Sequence, residues 1–248
     1  MTLPFDLGLG AAVYMAVAVL ISAFVRGYSG FGFSALVIAS SALVTNPLNF
    51  VAVVVVCEMA MTAQAWKGLS KYVDWRRVWL LMAGAAVGMP LGLWALTSIS
   101  EDSARAAISA YILLMCMILY AGWKMKAEAR PWAHLGAGLV SGLANAPGMG
   151  GLPVAAFFAA QPIAAVVFRA TLVAYFPILD IYAVPLYYAS GLISWNSLWA
   201  TLMVLPMVFI GNWLGGRHFF RTDPKDFRKF AIGLLALLAV MGLGKAVL

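Results

Sequence analysis

Four ionisable side chains stand inside apolar sequence where a membrane helix would carry none: Arg26, Glu58, Arg169 and Asp180. An intramembrane arginine costs at least about 2.5 kcal/mol on insertion scales, so each of the two is a candidate for function. The planar guanidinium also suits an oxyanion, which it can hold through two parallel hydrogen bonds. Glu58 and Asp180 could take up and release a proton and so couple transport to a proton gradient, or they could serve only as counter-ions to the arginines. Arg169 and Asp180 are eleven residues apart on one apolar run. That is about 16 Å along an unbroken helix, too far for a direct pair. Arg26 could also snorkel to an interface.

These charges lie near two stretches that interrupt the apolar pattern. Asn145-Ala-Pro-Gly-Met-Gly-Gly-Leu-Pro153 sets two prolines and three glycines into an apolar run, and Gly27-Tyr-Ser-Gly-Phe-Gly-Phe-Ser34 is a second break near the start of the chain. Backbone that leaves the helical ladder at membrane depth survives only when it is buried in protein or lines a cavity. Glycine breaks in corresponding positions of two halves point to a binding site of the kind transporters build. The plainer alternative is that the glycines serve helix packing alone.

The composition fixes the setting. With 64% hydrophobic and 10% charged residues, the chain is far more apolar than a soluble domain. It reads as an all-α integral membrane protein forming a single membrane domain over residues 1–248. The net charge of +7 is not a nucleic-acid signal, because 12 of the 16 basic residues fall in three loops. Those are Lys67 to Arg77, Lys124 to Arg130 and Arg217 to Lys229, which the positive-inside rule places in the cytoplasm. Both termini are then expected outside. Met1 to Gly8 carry no Lys or Arg, so the first apolar run is expected to be retained. Cys57 and Cys116 lie in apolar runs without metal-ligand spacing, and no cofactor, metal site or nucleotide loop is expected.

Two halves repeat one order of about five apolar segments each, roughly 8–123 and 132–248. In the first, Gly8 to Val25 runs into the first break, followed by short Ala35 to Val44, Phe50 to Trp66 with Glu58, Val78 to Thr97 and Ala104 to Trp123. In the second, Ala133 to Ala144 precedes the central break, followed by Val154 to Ala160, Val166 to Tyr188 with Arg169 and Asp180, Leu198 to Gly216 and Phe230 to Val247. Gly30 and Gly148 are 118 residues apart, Glu58 and Asp180 are 122, and Gly88 and Gly211 are 123. Glycines spaced by four at Gly84, Gly88 and Gly92, and at Gly211 and Gly215, form the small-residue pattern that lets membrane helices approach closely. The charge rule makes the repeats inverted, with broken short helices or re-entrant hairpins meeting near the midplane. Re-entrant pairs and short tilted spans give the same loop parity, so both stay open.

The two motifs, Arg26-Gly-Tyr-Ser-Gly-Phe-Gly-Phe33 and Ser141-Gly-Leu-Ala-Asn-Ala-Pro-Gly-Met-Gly-Gly-Leu-Pro153, with the glycine-spaced fourth helix of each half, resemble the sulfite exporter TauE/SafE family. The resemblance covers essentially the whole chain. It implies secondary transport of a small sulfur-containing anion, sulfite or an organosulfonate, by alternating access with possible proton coupling. The implied partners are that anion and membrane lipids, not nucleic acid, and a homodimer is compatible with it. An oxyanion needs donors in a dehydrated site, and broken helices offer free N–H groups at positive helix ends. The candidate substrate-binding set is Arg26, Ser29, Gly30, Gly32, Asn145, Gly148, Gly150, Gly151 and Arg169, with Glu58 and Asp180 as coupling or counter-ion groups.

Two rival readings stand beside it. Gly27-Tyr28-Ser29-Gly30 and Ala133-His134-Leu135-Gly136 resemble the serine and histidine motifs of rhomboid intramembrane proteases, which would make Ser29 a nucleophile and His134 its base. Their separation of about a hundred residues is roughly double that family's, and the repeat would go unexplained. A membrane scaffold without transport leaves the two breaks and four embedded charges without a purpose.

Overall fold

The structure is a computed structural model that describes residues 3–219 and Val240. The last expected run, Phe230 to Val247, and the third basic loop beyond Phe219 lie outside the described residues. Nine α-helices are described: α1 (Leu9–Ser29), α2 (Phe33–Ser41), α3 (Val51–Leu69), α4 (Trp75–Thr97), α5 (Glu101–Ala121), α6 (Pro131–Asn145), α7 (Gly151–Ala160), α8 (Ala165–Ala189) and α9 (Trp195–Phe219). Six of them, α1, α3, α4, α5, α8 and α9, are long and apolar enough to cross a membrane. The chain is a multi-pass helical membrane protein.

Both interruptions are real, and both are narrower than their motifs. α1 continues through Arg26 and Gly27 before it stops at Gly30, whose φ of 85° and N–H bond to the Arg26 carbonyl (2.7 Å) make a left-handed cap. Gly32 follows at φ 94° and opens α2. Two left-handed residues so close together reverse the chain at a cost only glycine avoids. In the second half α6 starts on Pro131 and ends at Asn145, and Gly148 turns the chain at φ 76°. Pro153 does not break the chain. It sits in the first turn of α7, where its missing N–H has no intrahelical partner to lose.

The second helix of each pair is short. α2 has nine residues and α7 has ten, about 14–15 Å each, half of a hydrocarbon core. Each also returns to the end from which its pair set out. Phe5, just before α1, lies 5.4 Å ring to ring from Phe50, beyond α2. Met125, ahead of α6, donates its N–H to the Ala160 carbonyl at the end of α7 (2.7 Å), and the Ala129 N–H reaches the Gln161 side chain (3.0 Å). The α1–α2 and α6–α7 pairs are therefore helical hairpins, each of one longer and one shorter helix.

Helix packing follows the glycines. Gly84, Gly88 and Gly92 of α4 lie on the carbonyls of Leu135, Leu139 and Leu143 of α6, so close that a methyl group would overlap backbone atoms. Gly211 and Gly215 of α9 lie the same way on Leu20 and Phe24 of α1. α1 thus packs on α9 and α6 on α4, while α3 and α8 pack on each other between them. Proline adds one directed contact. Pro90 within α4 cannot bond the Ala86 carbonyl, and Tyr182 of α8 supplies the missing donor at 2.9 Å.

Candidate functional site

Three of the four embedded charges converge where α1 meets the α3–α8 pair. Arg26 is 4% exposed. Its Nη1 stands 3.7 Å from Glu58 Oε1, its Nη2 donates to Thr62 Oγ1 at 3.2 Å, and its guanidinium lies over the Phe176 ring at 5.9 Å. Glu58 and Thr62 are four residues apart on α3 and so share one face. At the opening of α2, Ser34 meets the same carboxylate with both its hydroxyl and its backbone N–H. Glu58 thereby occupies the positive helix end that sequence reasoning reserved for an oxyanion. Asp180, 3% exposed, feels the charges of both Glu58 and Arg26.

Arg169 takes a different place. Its Nη2 donates to the Gly27 carbonyl at 3.3 Å, and its side-chain stem lies under Gly30. Because α1 stops at Gly30, the Gly27 carbonyl loses its intrahelical donor, and a cation there also meets the negative end of the helix. Arg169 caps α1. α8 runs unbroken from Arg169 to Asp180 despite Pro177, so the two do not pair.

The second break is held by neutral groups. Ser141 donates to the Gly150 carbonyl (2.7 Å), Tyr175 donates to Ser141 (2.8 Å), and the Gly150 N–H donates to Asn145 Oδ1 (3.3 Å). Tyr187 donates to the Asn145 carbonyl, which also accepts from the Gly148 N–H at 2.8 Å. Gly151 packs on the Phe176 ring, with room for a methyl only about 3.1 Å from it. Phe176 thus has Arg26 of one hairpin and Gly151 of the other as neighbours.

The expectation of free backbone donors meets a different arrangement. The N–H groups of Gly30, Gly148 and Gly150 are all used within their own turns. Among the described residues, the buried side-chain donors near the breaks that make no hydrogen bond include Asn145 Nδ2 and Arg26 Nη1, the latter beside Glu58. Gly32 serves as the left-handed residue ahead of α2, and Ser29 ends α1. Sequence reasoning did not single out Thr62, Ser34, Ser141, Tyr175, Phe176 or Tyr187. Thr62 was within reach through its spacing from Glu58, and Ser141 through its place in the second motif. The tyrosines read as ordinary apolar-run aromatics.

Among the described contacts, His134 meets its own helix and an aromatic ring. It lies in the first turn of α6 with Nδ1 against the Arg130 carbonyl (3.2 Å) and its ring edge-on to Phe157 at 5.1 Å. Its Nε2 is buried with no hydrogen-bond partner among the described residues. Nor do the described residues contain a cluster of three or more metal-ligating side chains.

A family model described as "Sulfite exporter TauE/SafE" matches residues 14–242, nearly the whole chain. No curated protein and no solved structure matches it. The match gives no support to the rhomboid alternative. The chain belongs to the sulfite exporter TauE/SafE family, a family of membrane transporters and not of enzymes.

Proposed function

We propose that this chain carries a small sulfur oxyanion, sulfite or a short organosulfonate, across the bacterial cytoplasmic membrane by alternating access. The observation that carries the reading is the convergence of both hairpins on one stretch of α8, with Arg26 and Gly151 against Phe176 and Arg169 beneath Gly30. A charge buried inside a membrane bundle is by default a candidate for a substrate or ion pathway. In this reading Asn145, whose buried Nδ2 has no hydrogen-bond partner among the described residues, offers a donor already stripped of water, and Arg26 adds positive charge while it stays paired with Glu58. Arg169 holds the broken end of α1 in position and adds positive charge.

The alternating step is a property of two inverted repeats, about 8–123 and 132–248, in one membrane domain. The exchange of partners, α1 on α9 and α6 on α4, supports that symmetry, because each is the first helix of one half on the fourth of the other. Rocking one hairpin and its partner against the other would open the α3–α8 seam to alternate sides. Binding tests the substrate class directly. Sulfite or a short-chain sulfonate should raise the unfolding midpoint of the purified protein in a saturable manner, by about 2.7 kcal/mol at a hundredfold excess over the dissociation constant. The same additions to Arg26→Ala should give no shift. No shift in the wild type with any sulfur anion would withdraw the substrate class.

A further inference from the structure

Glu58 and Asp180 occupy matching places on α3 and α8, yet their surroundings differ. Glu58 is neutralised where it stands, by Arg26 at 3.7 Å and by the hydroxyl and N–H of Ser34. Thr62 holds the other guanidinium nitrogen of Arg26 at 3.2 Å, one turn along the same helix, and so fixes the pair. Asp180 has no such support. Its Oδ2 is fully buried with no hydrogen-bond partner among the described residues.

The neighbours of Asp180 can be taken element by element. α1 contributes Arg26, which Glu58 already engages, and α3 contributes the like charge of Glu58 itself. On α8, the hydroxyls of Tyr175 and Tyr187 are turned away to Ser141 and to the Asn145 carbonyl. α7 contains no titratable residue, and the charged residues of α4, Arg76 and Arg77, lie in its first turn. Arg169 is about 16 Å away along α8. A buried carboxylate whose Oδ2 finds no donor among the described residues, and which feels a like charge from Glu58, is costly to keep in the bundle. A proton on Asp180 removes that charge and leaves Arg26 and Glu58 as a closed pair.

We propose that Asp180 is the proton carrier of this transporter and that Glu58 is the fixed counter-ion of Arg26. The proposal rests on the transport reading above and divides two roles that the repeat makes formally equivalent. Asp180 is a neutral carboxylic acid in the conformation described. It releases its proton to water on one side when movement of a hairpin hydrates the α8 seam, and the resulting carboxylate takes a proton from the other side before the seam closes. No other group changes its charge.

Infrared difference spectroscopy of the purified protein in light and heavy water reads the assignment without any transport. The C=O stretch of a protonated buried carboxyl is expected in the wild type and in Glu58→Gln, is lost in Asp180→Asn, and moves in frequency in Asp180→Glu, which keeps the acid. A band that survives Asp180→Asn, or disappears in Glu58→Gln, overturns the proposal. In vesicles, Asp180→Asn should lose accumulation driven by a pH gradient and keep exchange of sulfite at equal pH, whereas gradient-driven accumulation in that variant would overturn the proposal. A wild type that exchanged no sulfite would overturn the transport reading, and the infrared band alone would then decide the role of Asp180.

Discussion

Arg26 is the residue whose removal should be felt most widely. Its guanidinium is the partner of Glu58, so Arg26→Ala leaves a buried carboxylate with only the Ser34 donors. Breaking a buried pair from one side costs about 3–5 kcal/mol. The expected outcome is a lowered unfolding midpoint, partly restored by adding Glu58→Gln. A double variant no more stable than Arg26→Ala would mean that the 3.7 Å contact carries no coupling. Tyr187 gives a smaller, separable effect. Tyr187→Phe withdraws the donor from the buried Asn145 carbonyl, worth about 1–3 kcal/mol, though the Gly148 N–H still serves that oxygen and should hold the loss near the lower figure. Unfolding in detergent measures both.

Among the elements, the hairpins depend on helices packed backbone to backbone. Gly88 sits against the Leu139 carbonyl of α6, and neither partner is a side chain that can turn aside. Gly88→Ala should therefore reduce monodisperse protein sharply on size-exclusion chromatography. Gly136, on the same helix α6, has nothing within 4 Å of where a methyl would go. Gly136→Ala should be neutral or stabilising by up to about 1 kcal/mol, the helix preference of alanine over glycine. Equal losses in both variants would show that the contact is not what the glycines are for. The breaks themselves were legible in sequence because glycine and proline interrupt an apolar run without ambiguity. Their limits were not, because Gly27 and Pro153 look like breakers and lie inside helices: one faces the Asn212 backbone, and the other fills a first turn that needs no donor.

For the whole molecule, composition was enough to set the class, since it follows from the bilayer as solvent. The partners of the four embedded charges were not readable. Pairing across helices depends on which faces meet, and nothing in a linear pattern tells that Arg26 turns to Glu58 while Arg169 turns to the end of α1. The orientation remains open to direct test. Cys57 and Cys116 are buried, so single cysteines placed at Glu101 and at Glu128, both exposed, report on opposite ends of the bundle. An impermeant maleimide should label Glu101→Cys in intact cells and Glu128→Cys only after permeabilisation. The reverse pattern would invert the topology taken from the basic loops.

The measurement that bears most directly on the account is sulfite flux through purified protein in proteoliposomes, with and without an imposed pH gradient. Wild-type vesicles should exceed empty vesicles, respond to the gradient and lose the excess in Arg26→Ala. Flux no greater than in empty vesicles, for sulfite and for short-chain sulfonates alike, would contradict the claim that the buried charges between the two hairpins form a path for sulfur anions.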